Sequence, residues 1–137
     1  MLTDGVIESI SSKLTASGLT VMKEYIDDIG SAAANSFPAF IRVERVELCE
    51  LIQTRNDERR CSAEVTLRIR ALGSAAGFFG AQQLSAKTEN AIMRIYLSED
   101  MIVKKVVCGG IEKNMSLGRL ERIIELTAVT AVGMGGV

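Results

Sequence analysis

Cys61-Ser62-Ala63-Glu64-Val65-Thr66-Leu67-Arg68-Ile69-Arg70-Ala71 alternates apolar and polar side chains without a break. Successive side chains of a strand point to opposite faces, so the stretch reads as a strand with one dry and one wet face. The dry face is Cys61, Ala63, Val65, Leu67, Ile69 and Ala71; the wet face is Ser62, Glu64, Thr66, Arg68 and Arg70. A strand wet on one side is typical of an antiparallel sheet.

Upstream, Phe37-Pro38-Ala39-Phe40 leads into another strand, and the only proline stands at its start, where a missing N–H costs least. Ile41 and Val43 have odd parity and Val46 and Leu48 even parity, which predicts a bulge or bend near Glu44 and Arg45. Gln53 to Arg60 reads as a charged hairpin loop joining the two strands. Further back, Leu2, Val6, Ile10 and Leu14 recur every four residues, so residues 3–17 read as an amphipathic helix capped by Thr3 and stopped by Gly18. Leu19 to Tyr25 is a short strand candidate, and residues 27–37 read as a connecting loop.

Downstream, Gly73-Ser74 breaks the strand and introduces a second helix whose core stripe is Ala81, Leu84, Thr88, Ala91, Ile92 and Ile95. Gly77 and Gly80 weaken its first two turns. Met101 to Cys108, a Gly109-Gly110 turn, a polar loop through Gly118, and Leu120 to Val132 form a closing hairpin. In its last strand Ile124, Leu126 and Ala128 load one face, and Ile123, Val129 and Ala131 load the other. Double loading predicts a central strand, or one covered by a helix or a neighbouring subunit. The expected fold is α+β: a single mostly antiparallel sheet of about five strands with two helices packed on one face. One domain spans residues 1–137, with a flexible glycine-rich tail over 133–137.

The chain has 137 residues, enough for one hydrophobic core. Aromatics are only 4% and Trp is absent, so that core is aliphatic. A formal charge of −1 supplies no global basic field for nucleic acid or anionic lipid. No stretch approaches a membrane span, and the N-terminus does not read as a signal peptide, so the expected setting is cytoplasmic, with no membrane partner. The odd set Cys49, Cys61 and Cys108 reads as reduced thiols, although Cys49 and Cys61 could face each other across the hairpin.

With no histidine, the chain cannot present a Ser-His or Cys-His pair or a histidine zinc site. The adjacent carboxylates Asp27-Asp28, Asp57-Glu58 and Glu99-Asp100 read as solvated turn residues, and no glycine motif makes a phosphate cradle. No catalytic, cofactor or metal residues are expected, and the chain reads as a non-enzyme. Arg55, Arg59, Arg60, Arg68 and Arg70 cluster on one hairpin, and Lys104, Lys105, Lys113, Arg119 and Arg122 on the other. Interspersed Asp57, Glu58, Glu64, Glu112 and Glu121 favour a solvated surface or a protein interface with paired charges over sequence-specific nucleic-acid binding.

Tyr25-Ile26-Asp27-Asp28-Ile29, then Phe37-Pro38-Ala39-Phe40-Ile41-Arg42-Val43, between an N-terminal helix and a charged hairpin, resembles the small tail terminator proteins of long-tailed bacteriophages and phage-like particles. The order of elements corresponds through the chain, including the helix around Leu84 to Ile95 and the closing strand Leu120 to Ala131; the alanine- and glycine-rich segment Ala71 to Ala81 departs. The resemblance implies an α+β structural protein of the virion tail, made in the host cytoplasm. Copies would form a hexameric ring on the tail tube, stop tube growth and join head or neck proteins. Candidate subunit-interface residues are Arg55, Asp57, Glu58, Arg59, Arg60, Phe78, Phe79, Glu112 and Lys113. Alternatives are another tail component, such as a tube or baseplate protein, or a regulatory protein-binding module.

Overall fold

A computed structural model of the chain describes residues 4–22, 37–53, 59–73, 77–115 and 118–133. In chain order these form α1 (Asp4–Ala16), β1 (Thr20–Val21), β2 (Pro38–Gln53), β3 (Arg59–Leu72), α2 (Gly77–Tyr96), β4 (Ile102–Cys108), β5 (Glu112–Asn114) and β6 (Arg119–Gly133). The strands make one sheet in the order β1-β2-β3-β6-β4, with β5 also on β6. Only the two-residue β1 runs parallel to its neighbour; every other pairing is antiparallel. The fold is α+β, as the order of predicted elements implies.

Val6, Ile10 and Leu14 of α1 and Leu84, Ala91 and Ile95 of α2 are buried together with Ala63, Val65, Leu67, Ile69 and Ala71 of β3 and Ile124, Leu126 and Ala128 of β6. Both helices therefore lie on the face that carries the dry side chains. Beside this core, β6 pairs with β3 on one side and with β4 and β5 on the other. That central position accounts for the apolar loading of both its faces.

The parity change in β2 is a bulge: Val43 pairs with Leu67 and Arg45 with Thr66, leaving Glu44 without an opposite residue. A second shift follows between Leu48 and Glu50, so Cys49 is again the extra residue and Cys61 pairs with Leu51. The bulge thus sets Cys49 out of register with Cys61, and a facing pair of cysteines is not what the ladder provides.

α1 ends at a glycine that the geometry demands. Gly18 has φ 93°, in the left-handed region that side chains other than glycine's avoid. Its N–H donates to the Thr15 carbonyl at 3.1 Å and the next N–H, of Leu19, reaches back to Leu14 at 3.0 Å, closing the last turn. Leu14 and Leu19 are both buried, the apolar contact that accompanies this cap. A β-carbon on Gly18 would stand 2.6 Å from Lys87 Nζ, so the α2 ammonium sits at the negative end of the α1 dipole. The same ammonium lies 5.0 Å from the Phe37 ring centroid.

Three segments differ from the expectation. α2 begins at Gly77 and runs through Gly80, because burial of its later turns outweighs the poor propensity of two early glycines. The polar loop of residues 110–118 contains β5, paired through Glu112↔Glu121 to Asn114↔Arg119, and turns at Gly118 with φ 63°. Gly133, assigned to the tail, closes β6 opposite Arg60; residues 134–137 lie outside the described residues. The first strand is described only over Thr20–Val21, and Thr3, residues 23–36 and the sequence Tyr25 to Ile29 also lie outside.

Candidate functional site

Of the nine predicted interface residues, Arg55, Asp57 and Glu58 lie outside the described residues. Arg59 and Arg60 open β3, opposite Gln53 and Ile52, and Phe78 and Phe79 lie in the first turn of α2; for these four only the backbone is described. Glu112 and Lys113 are exposed on β5. The β2–β3 end of the sheet and the β5 turn are separate places in the fold: β3 pairs through Arg60 with the C-terminal end of β6, whereas β5 pairs with its N-terminal end.

The basic residues of the two hairpins also divide. Arg122 points to the helix side, where its guanidinium donates to the Thr88 hydroxyl at 2.9 Å and the Gly109 carbonyl at 2.8 Å. Arg119 is buried and donates to the Gly73 carbonyl at 2.8 Å; burial pushes its guanidinium below the usual arginine value, and its role is to fasten the β3–α2 turn to β6. A β-carbon at Gly73 would lie 3.2 Å from Leu120 Cβ and 3.3 Å from Leu84 Cδ2, so those neighbours would have to give by a few tenths of an ångström to admit one.

Of the rest, Arg68, Arg70 and Lys105 stand by register on the sheet face opposite the described helices. Reading across β2, β3, β6 and β4, one row is Arg42, Arg68, Glu125 and Val107; the next is Arg45, Thr66, Thr127 and Lys105. Flanking rows hold Phe40, Arg70 and Ile123 on one side and Glu47, Glu64, Val129 and Ile102 on the other. Several charges pair within this face: Lys104 with Glu64 at 3.1 Å, Arg70 with Glu121 at 3.4 Å, and Arg45 with Glu47. The face carries mixed charge throughout, with exposed Lys104 and Lys105 standing between Val107 and Ile102 on β4. Sequence parity placed Arg68 and Arg70 here, but Arg42 was missed because its strand mate is set by the register and not by spacing.

At the outer side of β4 the edge is blunted. A register shift between Val103 and Lys105 makes Lys104 a bulge residue, and Lys104 and Lys105 are both exposed. A bulge and adjacent lysines discourage another strand from adding to an edge.

Glu99-Asp100, read as a solvated turn, is more than that. Lys13 donates to the Ser9 hydroxyl at 2.7 Å, Ser9 donates to the Asp100 carboxylate, and Lys13 Nζ stands 3.6 Å from the same carboxylate. Ser98 also donates to Asp100. The Ser9 hydroxyl first, and the Lys13 ammonium, hold the Asp100 carboxyl below its ordinary 3.8, against the upward pull of burial. A serine nucleophile would need a neutral amine beside it and an oxyanion hole. Here the ammonium is engaged by a carboxylate, so the cluster ties α1 to the α2–β4 corner.

This tie floors an open groove of about 590 Å³ lined by Ser12, Lys13, Arg94, Leu97 and Asp100 among others. A second hollow, about 280 Å³, shares Glu99 and Asp100 and continues to Ile102, Val129 and Thr130. Around the corner large apolar side chains face solvent: Met93 is 57%, Tyr96 63%, Leu97 70% and Ile102 71% exposed. Among the described residues no three His, Cys, Asp or Glu side chains converge as a metal site, and no described helix is long and apolar enough to cross a membrane.

No protein-family model and no curated protein matches the chain. Among solved structures, the chain is similar to the type 4 fimbrial biogenesis protein PilO from Pseudomonas aeruginosa, at 13% identity and a TM-score of 0.34 over 95% of this chain and 67% of that one. A likeness of that degree assigns no activity or partner to this chain.

Proposed function

We propose that the chain is a structural assembly protein of the tail-terminator kind, whose copies close into a ring on the end of a phage or phage-like tail tube, stop its growth and join it to head or neck. The observation that carries the reading is the order of elements: helix, short strand, long hairpin, helix, then a hairpin whose last strand returns to the sheet centre. That is the order on which the resemblance rests. A surface for contact between copies is at hand in the exposed Met93, Tyr96 and Leu97, which share one side of the end of α2 by their spacing, an exposure that a chain working alone has reason to avoid.

A ring needs two different patches per copy, one meeting the other on the next copy. In this reading the end of α2 is one patch and the outer end of the β2–β3 hairpin, beyond the start of β4, is the other. The blunted β4 edge is consistent with contact through side chains and not through strand addition. Deleting the gene from its phage or particle and viewing the tails by electron microscopy tests the reading. Overlong tails or tails without heads are expected; normal complete particles would refute it.

A further inference from the structure

Lys13 and Asp100 hold each other at 3.6 Å in the groove between α1 and the α2–β4 corner. Two further charges line the same groove, Arg94 and Glu99; both are exposed, and among the described residues neither has an ion partner. Arg94 engages its Nε alone, donating to the Asn90 side-chain oxygen at 2.9 Å, which steadies the stem and leaves the two terminal nitrogens facing water. Leu97 stands between the two charges along the chain, lines the groove and is 70% exposed, with Met93 and Tyr96 exposed on the same side of the helix. One unpaired cation and one unpaired anion flanking an exposed leucine make a patch that matches itself. Turned by half a rotation, it offers Glu99 to Arg94 and Arg94 to Glu99, with apolar side chains between. A ligand or partner of a single charge sign is not selected, because Arg94 and Glu99, like Lys13 and Asp100, sum to zero.

We infer that a second copy of this chain docks on the groove about a two-fold axis, with Arg94 of each copy against Glu99 of the other and Met93, Tyr96 and Leu97 enclosed between them. Ion pairs at such a rim set register more than affinity, so the charge pattern, and not the strength of the contact, identifies it. In the proposed ring the end of α2 meets a different patch, so the two contacts compete for it and the pair is the form of the free chain. The inference does not rest on the ring: the pair is measured on the isolated chain, and its failure leaves the outcome of the gene deletion untouched.

Sedimentation equilibrium of the purified full chain tests it. The parent is expected to pass from monomer to dimer, and no further, as its concentration rises through the micromolar range and above. R94E and E99R should each weaken the dimer about three- to thirtyfold, since each sets like charges in both symmetry-related pairs. R94E/E99R, which exchanges the two charges, should restore it, and an equimolar mixture of R94E with E99R should pair at concentrations where each alone is monomeric. Leu97→Ser should weaken the dimer as well. Any of four results overturns the inference: a parent monomeric at every concentration, assemblies larger than a dimer, single charge variants that pair as the parent does, or a mixture of R94E with E99R that stays monomeric.

Discussion

Single side chains separate the two faces of the sheet. Leu67 and Ile69 are fully buried, whereas Thr66, next to Leu67 in sequence, lies on the other face, its hydroxyl 3.4 Å from the Thr127 hydroxyl. Leu67→Asp or Ile69→Asp places a lone carboxylate in the core and should cost several kcal/mol, a large share of the about 5–15 kcal/mol of an ordinary domain. Thr66→Asp should leave the far-ultraviolet circular dichroism and thermal midpoint close to those of the parent chain; equal unfolding in both cases would mean the faces are reversed. Asp100 supplies a pH-dependent case. Its folded-state pKa lies below the ordinary 3.8, so its stabilisation is complete above that value and disappears as the pH falls through the lower folded one. Asp100→Asn should therefore be less stable than the parent near neutral pH, with the difference closing as the pH falls below the ordinary carboxylate range and through the lowered folded-state pKa. A difference in denaturation midpoint that stays constant through the acid range would assign the loss to packing and not to charge. This tie was not legible in the sequence: Ser9 and Lys13 share a helix face by their spacing, but nothing local says that residue 100 returns to meet them.

At the scale of elements, the sequence spoke most clearly where one face is buried. β3 was readable because its partners β2 and β6 leave its outer face to water, and the parity break in β2 located the Glu44 bulge before any partner was known. β5 was not readable, since Glu112, Lys113 and Asn114 carry no strand pattern and pair only because β6 holds Arg119 to Glu121 beside them. The extent of α2 was understated for a similar reason: intrinsic propensity argues against Gly77 and Gly80, while burial of Leu84, Ala91 and Ile95 decides. The β4 edge yields a prediction at this scale. Replacing Lys104 and Lys105 by Thr and Val removes the charges that keep other strands away, and K104T/K105V should self-associate at concentrations where the parent scatters light as before. Unchanged scattering would show that the bulge alone protects the edge.

For the whole molecule, the candidate contact surfaces were the least legible part. The charged residues were visible as a composition of two hairpins, but the fold sends Arg119 inward and Arg122 toward the helices, while Arg42, Arg45, Arg68, Arg70 and Lys105 fall by register on a common face. Sequence proximity described neighbours along the chain; burial and register chose neighbours in space. The order β1-β2-β3-β6-β4 also has a consequence in time. Of these strands β6, which fills the interior place between β3 and β4, is the last to be synthesised, and its partner β3 is joined to it by pairs such as Leu67↔Leu126 and Val65↔Ala128. Loop closure over so much intervening chain must precede the contacts that reward it, which makes this a slow topology for its size. Until β6 leaves the ribosome, the β2–β3 hairpin shows an open edge along β3, at the same residues that later become the most deeply buried. The nascent chain is thus at its most adhesive just before β6 emerges, and a product ending short of β6 would keep that edge.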